Sequence, residues 1–168
     1  MSKPFVAILM GSDSDLPVMQ SAMDVLSKLG VQFEVKITSA HRTPEVTHQF
    51  VKDADQRGCG AFIAAAGMAA HLAGAVAANT LKPVIGVPID SGPLQGFDAL
   101  LSTAQMPGGI PVATVAIGKA GAKNAAYLAA QILATADASL AKRLIEERAE
   151  NSRIVQEKDA ALQKQLSS

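Results

Sequence analysis

FVAILMGSDSDLP, residues 5–17, sets the reading of the chain. Phe5 to Met10 form a short, β-prone and continuously apolar run, the pattern of a strand covered on both faces. Gly11 allows a tight turn after it, and Pro17 stands near a helix start, where proline is tolerated. The same grammar repeats downstream. FEVKI (33–37), AFIAAA (61–66), PVIGVP (83–88) and VATVAI (112–117) read as strands, and all but FEVKI are near-continuously apolar. Helical stretches separate them: Pro17–Leu29, Pro44–Arg57, about His71–Thr80, about Gly96–Gln105 and Gly121–Asp137. Gly30 and Gly58 stand where glycine ends a helix well.

Strict β-α alternation implies a parallel sheet with right-handed crossovers. The expected fold class is α/β: a flavodoxin-like three-layer sandwich with a five-stranded parallel sheet, helices on both faces and a C-terminal helical tail. No linker or internal repeat divides residues 1–168, so a single catalytic domain is expected. Residues 139–168 are rich in Glu, Lys, Arg and Gln. They read either as a solvated terminal helix or as an arm at a subunit interface.

Composition narrows the function. Lys plus Arg and Asp plus Glu both number 15, so the net charge is zero. A general nucleic-acid or anionic-membrane binder would carry a basic surplus. A small anionic ligand needs only one local positive spot. Cys59 is the sole cysteine, which rules out a disulfide within the chain and points to a reducing compartment. MSKPFVAILMG is too short in its apolar run for a signal peptide, and no segment approaches the roughly 20 apolar residues of a membrane span. A cytoplasmic protein is expected. The core is rich in alanine and poor in aromatics, with no Trp and one Tyr, so burial between subunits is expected to supplement it.

In open α/β sheets ligands bind at the carboxyl ends of the strands. Here those ends read GSDSDLP, TSAHRTP, GMAAH, IDSGPLQG and GKAG. In the first, Ser12 and Ser14 offer hydroxyl donors beside free backbone N–H groups, a setting for an anion. Asp13 and Asp15 would repel phosphate and suit ribose hydroxyls or a ligand amine. Simple helix capping by Ser or Asp is the competing reading. Two carboxylates without further ligands make a poor metal site, so none is expected. In the second, Arg42 presents a planar positive fork suited to phosphate, and His41 offers an imidazole, the side chain suited to taking and returning a proton. Together they could anchor an anionic substrate and move a proton within it. Alternatively, His41 bonds its own turn and Arg42 pairs with Glu45.

GMAAH offers a close, apolar wall for a flat ring or a small neutral molecule. Met68 either lines a pocket or fills core. His71, at a helix start, reads as structural more than catalytic, and His48 as a surface residue. QMPGGIP (105–111) resembles a lid-type loop, and Lys119 either meets an anion or caps. Two rivals share the fold. A flavin carrier would want aromatics in the strand-end loops, where there is no Trp or Tyr and only Phe97 lies near. A signalling receiver would want an acceptor Asp where the chain has Ala66 and Gly67.

GSDSD, SAHRTP, AAGMAAHLAG, QMPGGIP and AIGKAGAKNAA, in this order and spacing, resemble the N5-carboxyaminoimidazole ribonucleotide mutase family of purine biosynthesis, in its bacterial form. The resemblance runs from about Phe5 to about Leu133. The animal-type enzymes, which carboxylate aminoimidazole ribonucleotide directly with CO2, are less similar around Arg42-Thr43. The resemblance implies a flavodoxin-like subunit, a homo-octamer, a nucleotide substrate, and no metal or organic cofactor. It implies an isomerase that moves a carboxylate from the exocyclic nitrogen to a ring carbon of one imidazole, through enzyme-trapped CO2. Residue by residue, it puts Ser12 and Arg42 at phosphate-binding positions, Asp15 at the ribose and His41 at the catalytic acid–base. Ser39, Ala40, Ala66, Gly67 and Ala70 fall on pocket-wall positions, with Ser14, Met68 and His71 as secondary candidates. The chain departs from the usual pattern at Met68, often Gly, and at Ala73, often Pro.

Overall fold

The computed structural model describes residues 4–167. Met1 to Lys3 of the N-terminal stretch and Ser168 of the tail lie outside the described residues. In chain order the elements are β1 (Phe5–Met10), α1 (Leu16–Lys28), β2 (Phe33–Ile37), α2 (Pro44–Gln56), β3 (Cys59–Gly67), α3 (Leu72–Ala77), β4 (Val84–Ile89), α4 (Phe97–Ala104), β5 (Ala113–Thr114), α5 (Gly118–Ala134) and α6 (Ala138–Leu166). A single 3-10 turn, Asp13–Asp15, leads into α1. The five strands lie parallel in the order β2-β1-β3-β4-β5. This is the expected flavodoxin-like sandwich.

The central strands are apolar on both faces because both faces are covered. From β1, Val6, Ile8 and Met10 enter a core with Met19, Ala22 and Leu26 of α1 and the alanines of α5. The alternate residues Phe5, Ala7 and Leu9 enter a second core with Val51 and Ala54 of α2 and Leu72 and Val76 of α3. Each fully buried Ile or Leu contributes about 1.5–3 kcal/mol. β2 is the exception in the sequence because it is an edge strand, and its five residues are half-buried or exposed.

Alanine decides how closely α5 packs. Ala122, Ala125, Ala126, Ala129 and Ala130 recur at helical spacing, and all are fully buried. Their short side chains let α5 lie against both α1 and the sheet. On the other face, Gly86 of β4 brings the sheet against α4. A β-carbon there would lie 2.3 Å from Thr103 Cγ2 and 3.3 Å from Ala73 Cβ.

Most boundaries shift by one to three residues from the sequence expectation, and two differences stand out. β5 covers two residues rather than six, because its pairing with β4 is limited to Ile85–Ala113 and Gly86–Thr114. Pro88 lies beyond that ladder, so its missing N–H costs no bond there. α5 begins at Gly118, three residues before the expected start, with Gly118 in the left-handed region at φ 74°.

The first half of α6 is fastened to its own chain. Asp137 caps it by accepting the N–H groups of Ser139 and Leu140 at 2.9 and 3.0 Å. Leu140 is buried, and Arg143 Nε donates to the Leu29 carbonyl at 2.8 Å. Glu147 pairs with Lys28 at 2.7 Å and accepts the Tyr127 hydroxyl at 3.0 Å. Residues 151–167 are all exposed. No helix among the described residues is long and apolar enough to cross a membrane.

Candidate active site

The parallel sheet delivers the turns after β1, β2 and β3 to one edge, where the order reverses between β1 and β3. A cleft of about 410 Å³ opens there, within the size range of small-molecule sites. It is lined by Ser12, Ser14 and Asp15 from the first turn and by Ser39, Ala40, His41 and Arg42 from the second. Ala66, Gly67, Met68, Ala69 and His71 come from the third. Of the residues singled out from the sequence, Ala70 is buried behind this wall and is not part of the lining. Lys119, in the first turn of α5, and the Gln105–Pro111 loop do not line it either. That loop instead approaches α3, where a β-carbon on Gly74 would lie 3.3 Å from Met106 Sδ.

The first turn is organised by capping. Ser12 Oγ accepts the Ser14 N–H at 3.2 Å, and Asp15 Oδ2 accepts the Ser12 N–H at 3.2 Å. Asp15 is buried, with 6% of its surface exposed. Burial pushes its carboxyl above the usual range, opposed by the backbone N–H groups of Ser12 and Gly11. Capping and ligand binding are therefore compatible readings here. The carboxylate retains lone pairs that Ser12 does not use.

The second turn rests on a buried hydroxyl cluster. Thr38 Oγ1 lies 2.8 Å from Thr47 Oγ1 and 3.0 Å from Thr43 Oγ1. Thr43 Oγ1 also accepts the Ser39 N–H at 2.9 Å. Ser39 Oγ then accepts the backbone N–H groups of His41 and Arg42 at 3.3 and 3.1 Å. Three backbone N–H groups are thus satisfied within the turn, and the His41 and Arg42 side chains are exposed. Arg42 forms no ion pair with Glu45 among the described residues, so it is available to a ligand.

His41 Nε2 lies 2.6 Å from His71 Nδ1, with the rings edge to face at 86°. One nitrogen must donate and the other accept, so this contact fixes complementary tautomers. His71 therefore faces into the cleft, beside the residue read as the acid–base. His48, read as a surface residue, is half-buried, with Nδ1 2.5 Å from Asn79 Oδ1.

Sequence reasoning missed Ser91. It follows β4 and lines the cleft. A β-carbon on Gly67 would sit 1.8 Å from Ser91 Oγ, so the hydroxyl occupies the space that a side chain at 67 would need. Serine in IDSGP was the available signal, but only the fold shows that β4 brings it to Gly67. Met68 is exposed on the rim with φ 54°, rather than filling core. No group of three or more His, Cys, Asp or Glu side chains poised to hold a metal occurs among the described residues. A larger cleft of about 700 Å³ lies between α5 and α6, but it gathers none of these groups.

Comparison with known proteins places the chain in a family. The AIR carboxylase family profile matches residues 5–153. The N5-carboxyaminoimidazole ribonucleotide mutase of Bacillus subtilis strain 168 is 54% identical over 151 residues, 90% of this chain and 93% of that one. The Pyrococcus horikoshii protein of the same name is 52% identical over 161 residues, 96% of this chain and 90% of its own. The crystal structure of Treponema denticola PurE superimposes with a TM-score of 0.86 at 31% identity, covering 95% of this chain and 98% of that one. A cleft at the sheet's reversal point, with a paired histidine and a free arginine on its rim, thus sits on a chain that belongs to the AIR carboxylase family, among its N5-carboxyaminoimidazole ribonucleotide mutases.

Proposed function

We propose that His41 carries the proton through a carboxylate migration whose nucleotide is held by the turns after β1 and β2. The chain is an isomerase of purine biosynthesis. It converts N5-carboxyaminoimidazole ribonucleotide to 4-carboxy-5-aminoimidazole ribonucleotide. In the route that fits this cleft, the N–C bond to the carboxylate breaks and its electron pair stays on nitrogen. His41 delivers a proton to that nitrogen, leaving neutral amine and CO2. The ring carbon then attacks CO2, a C–C bond forms, and His41 recovers a proton from the same carbon. One imidazole can do both jobs because it can release a proton and take it back, and protons and charge balance over the cycle.

The observation that carries this reading is the His41–His71 contact at the cleft. It orients the imidazole of residue 41, which its own turn leaves exposed. His71 acts through His41 as a positioning residue. Arg42 and Ser12 bind the phosphate, and Asp15 accepts from the ribose hydroxyls. Ser39 and Ala40, with the wall of Ala66 and Gly67 and Ala70 packed behind it, surround the base and carboxylate. Ser14 lends a hydroxyl at the phosphate end. CO2 needs no hydrogen-bonding partner and is held by proximity.

The chain is further read as one catalytic domain acting in the cytoplasm as a homo-octamer, without a metal or organic cofactor. The exposed apolar residues Ile145, Val155, Leu162 and Leu166 of α6 support a subunit contact there, and sedimentation of the full chain tests it. The chemical reading is tested by an absorbance assay of the His41→Asn protein with the N-carboxylated nucleotide. Loss of turnover with retained nucleotide binding is expected. Normal turnover would remove His41 from the mechanism.

A further inference from the structure

We propose that the Ser91 hydroxyl is a substrate-binding group, holding the heterocycle of the nucleotide at the end of the cleft away from the phosphate. The inference rests on the reading above, in which Ser12 and Arg42 take the phosphate, and it names a polar partner at the opposite end.

Three observations carry it. The first is how the hydroxyls of the lining are employed. Ser12 Oγ donates to Asp13 Oδ1 at 3.1 Å and accepts the Ser14 N–H, while Ser14 Oγ donates to Ser12 Oγ at 2.9 Å. Ser39 Oγ accepts two N–H groups of its own turn. Ser91 is half-buried, and its Oγ has no hydrogen-bond partner among the described residues. It is not sealed in the core either, since Thr114 Oγ1 is the buried side-chain oxygen left unpaired there. The Ser91 hydroxyl is therefore open to the cleft and unused by the fold.

The second is the room made for it. A β-carbon on Gly67 would lie 1.8 Å from Ser91 Oγ and 3.1 Å from Ser91 Cβ. Gly67 is not among the glycines with positive φ, so its backbone conformation does not call for glycine. The missing side chain is what admits Ser91 over the end of β3. The third is anchoring. Gly67 stands opposite Ile89 in the β3–β4 ladder, and the Ser91 N–H donates to the Ile89 carbonyl at 2.9 Å. That three-residue turn holds Ser91 beside the last rung.

Position and chemistry agree. In the order β2-β1-β3-β4 the ends of β2 and β4 lie three strand spacings apart, roughly 14 Å. A phosphate gripped by Arg42 is thus far from Ser91, and an extended nucleotide presents its heterocycle toward β3 and β4. The wall there, Ala66, Gly67, Met68 and Ala69, carries no other hydrogen-bonding side chain for it. A hydroxyl both donates and accepts by rotating. It can meet an amine and a carboxylate in turn as the substituents of the imidazole change, which a fixed charge cannot.

Titration calorimetry of the full chain tests this with three ligands: the C-carboxylated nucleotide, its decarboxylated counterpart, and ribose 5-phosphate. Ser91→Ala should bind the C-carboxylated nucleotide about tenfold more weakly, the scale of one hydrogen bond to a charged group. It should bind ribose 5-phosphate as wild type does and melt near wild type, because Oγ has no protein partner to lose. Ser91→Cys, similar in shape but a weak donor, should fall between the two. The decarboxylated nucleotide locates the bond: a loss confined to the carboxylated ligand puts it on the carboxylate, and a loss shared by both puts it on the amine. Unchanged affinity for both nucleotides, or an equal loss for ribose 5-phosphate, would overturn the proposal alone. A wild type that binds none of the three would sink the reading of the cleft and the proposal with it.

Discussion

The two helical faces of the sheet solve their packing differently. On one face, α1 and α5 meet the strands through five fully buried alanines, together with leucine and methionine. Everything polar there points away from the core. On the other face, the start of α2 buries the Thr38 and Thr47 hydroxyls, which bond each other at 2.8 Å and hold the turn above them. Buried polar groups carry a penalty unless satisfied, so their presence shows where the chain has spent side chains on positioning. The alanine face is built for closeness. The threonine face is built to hold one loop still while its functional groups remain exposed.

The contrast can be broken one residue at a time. His41→Asn should have the largest effect, about 10²–10⁴-fold in kcat, with a melting temperature near wild type. A large loss of stability in that variant would mean that the imidazole supports the turn. Arg42→Leu should weaken nucleotide binding by about 1.5–3 kcal/mol, the range of charged hydrogen bonds, in a titration calorimeter. Unchanged affinity would remove its phosphate role.

Ala126→Leu probes the opposite face. Overpacking typically costs about 1–3 kcal/mol, so denaturant unfolding should register it, while nucleotide affinity in the folded fraction stays close to wild type. Thr47→Val removes one hydroxyl from the cluster and should cost about 1 kcal/mol. Unlike the alanine change it should also lower kcat, because the lost bond loosens the His41 turn.

The smallest effect concerns pH. The Lys28 ammonium holds the Glu147 carboxyl below its usual range. A carboxyl depressed on folding stabilises above its unfolded value and loses that contribution as pH falls through the folded one. The attachment of α6 should therefore fade below about pH 4.5, and Glu147→Gln should flatten that dependence by less than about 1 kcal/mol. Asp15 works in the opposite sense. Its raised carboxyl favours the folded protein as pH falls toward the usual carboxylate range, partly offsetting the loss.

The elements themselves were legible in the sequence. Continuous apolar runs marked β1, β3 and β4, which both layers cover, but of the two edge strands only β2, FEVKI, is less apolar, while β5 lies within the apolar VATVAI. The prolines at 17 and 44 stand in the first turns of α1 and α2. The extent of β5 was not legible, since VATVAI looks like a strand whether or not β4 has partners left to offer. For the candidate site, the loops could be named because strand ends always gather at one edge. Contacts between loops could not. His41 and His71 stand thirty residues apart, and only the neighbouring positions of β1, β2 and β3 bring their rings together. Ser91 stayed hidden for the same reason, and the fastening of α6 through Glu147 depends on a lysine 119 residues earlier.

The tight fit of Gly67 against the Ser91 hydroxyl limits how this protein can be redesigned. An engineer who wishes to admit a differently substituted heterocycle has no freedom at that glycine, because even a methyl group would collide. Any reshaping must begin by trimming the serine to alanine, or must move to the rim. A library that randomises 67 alone should return only the parent, whereas one that varies 67 and 91 together opens sequence space that single changes never reach.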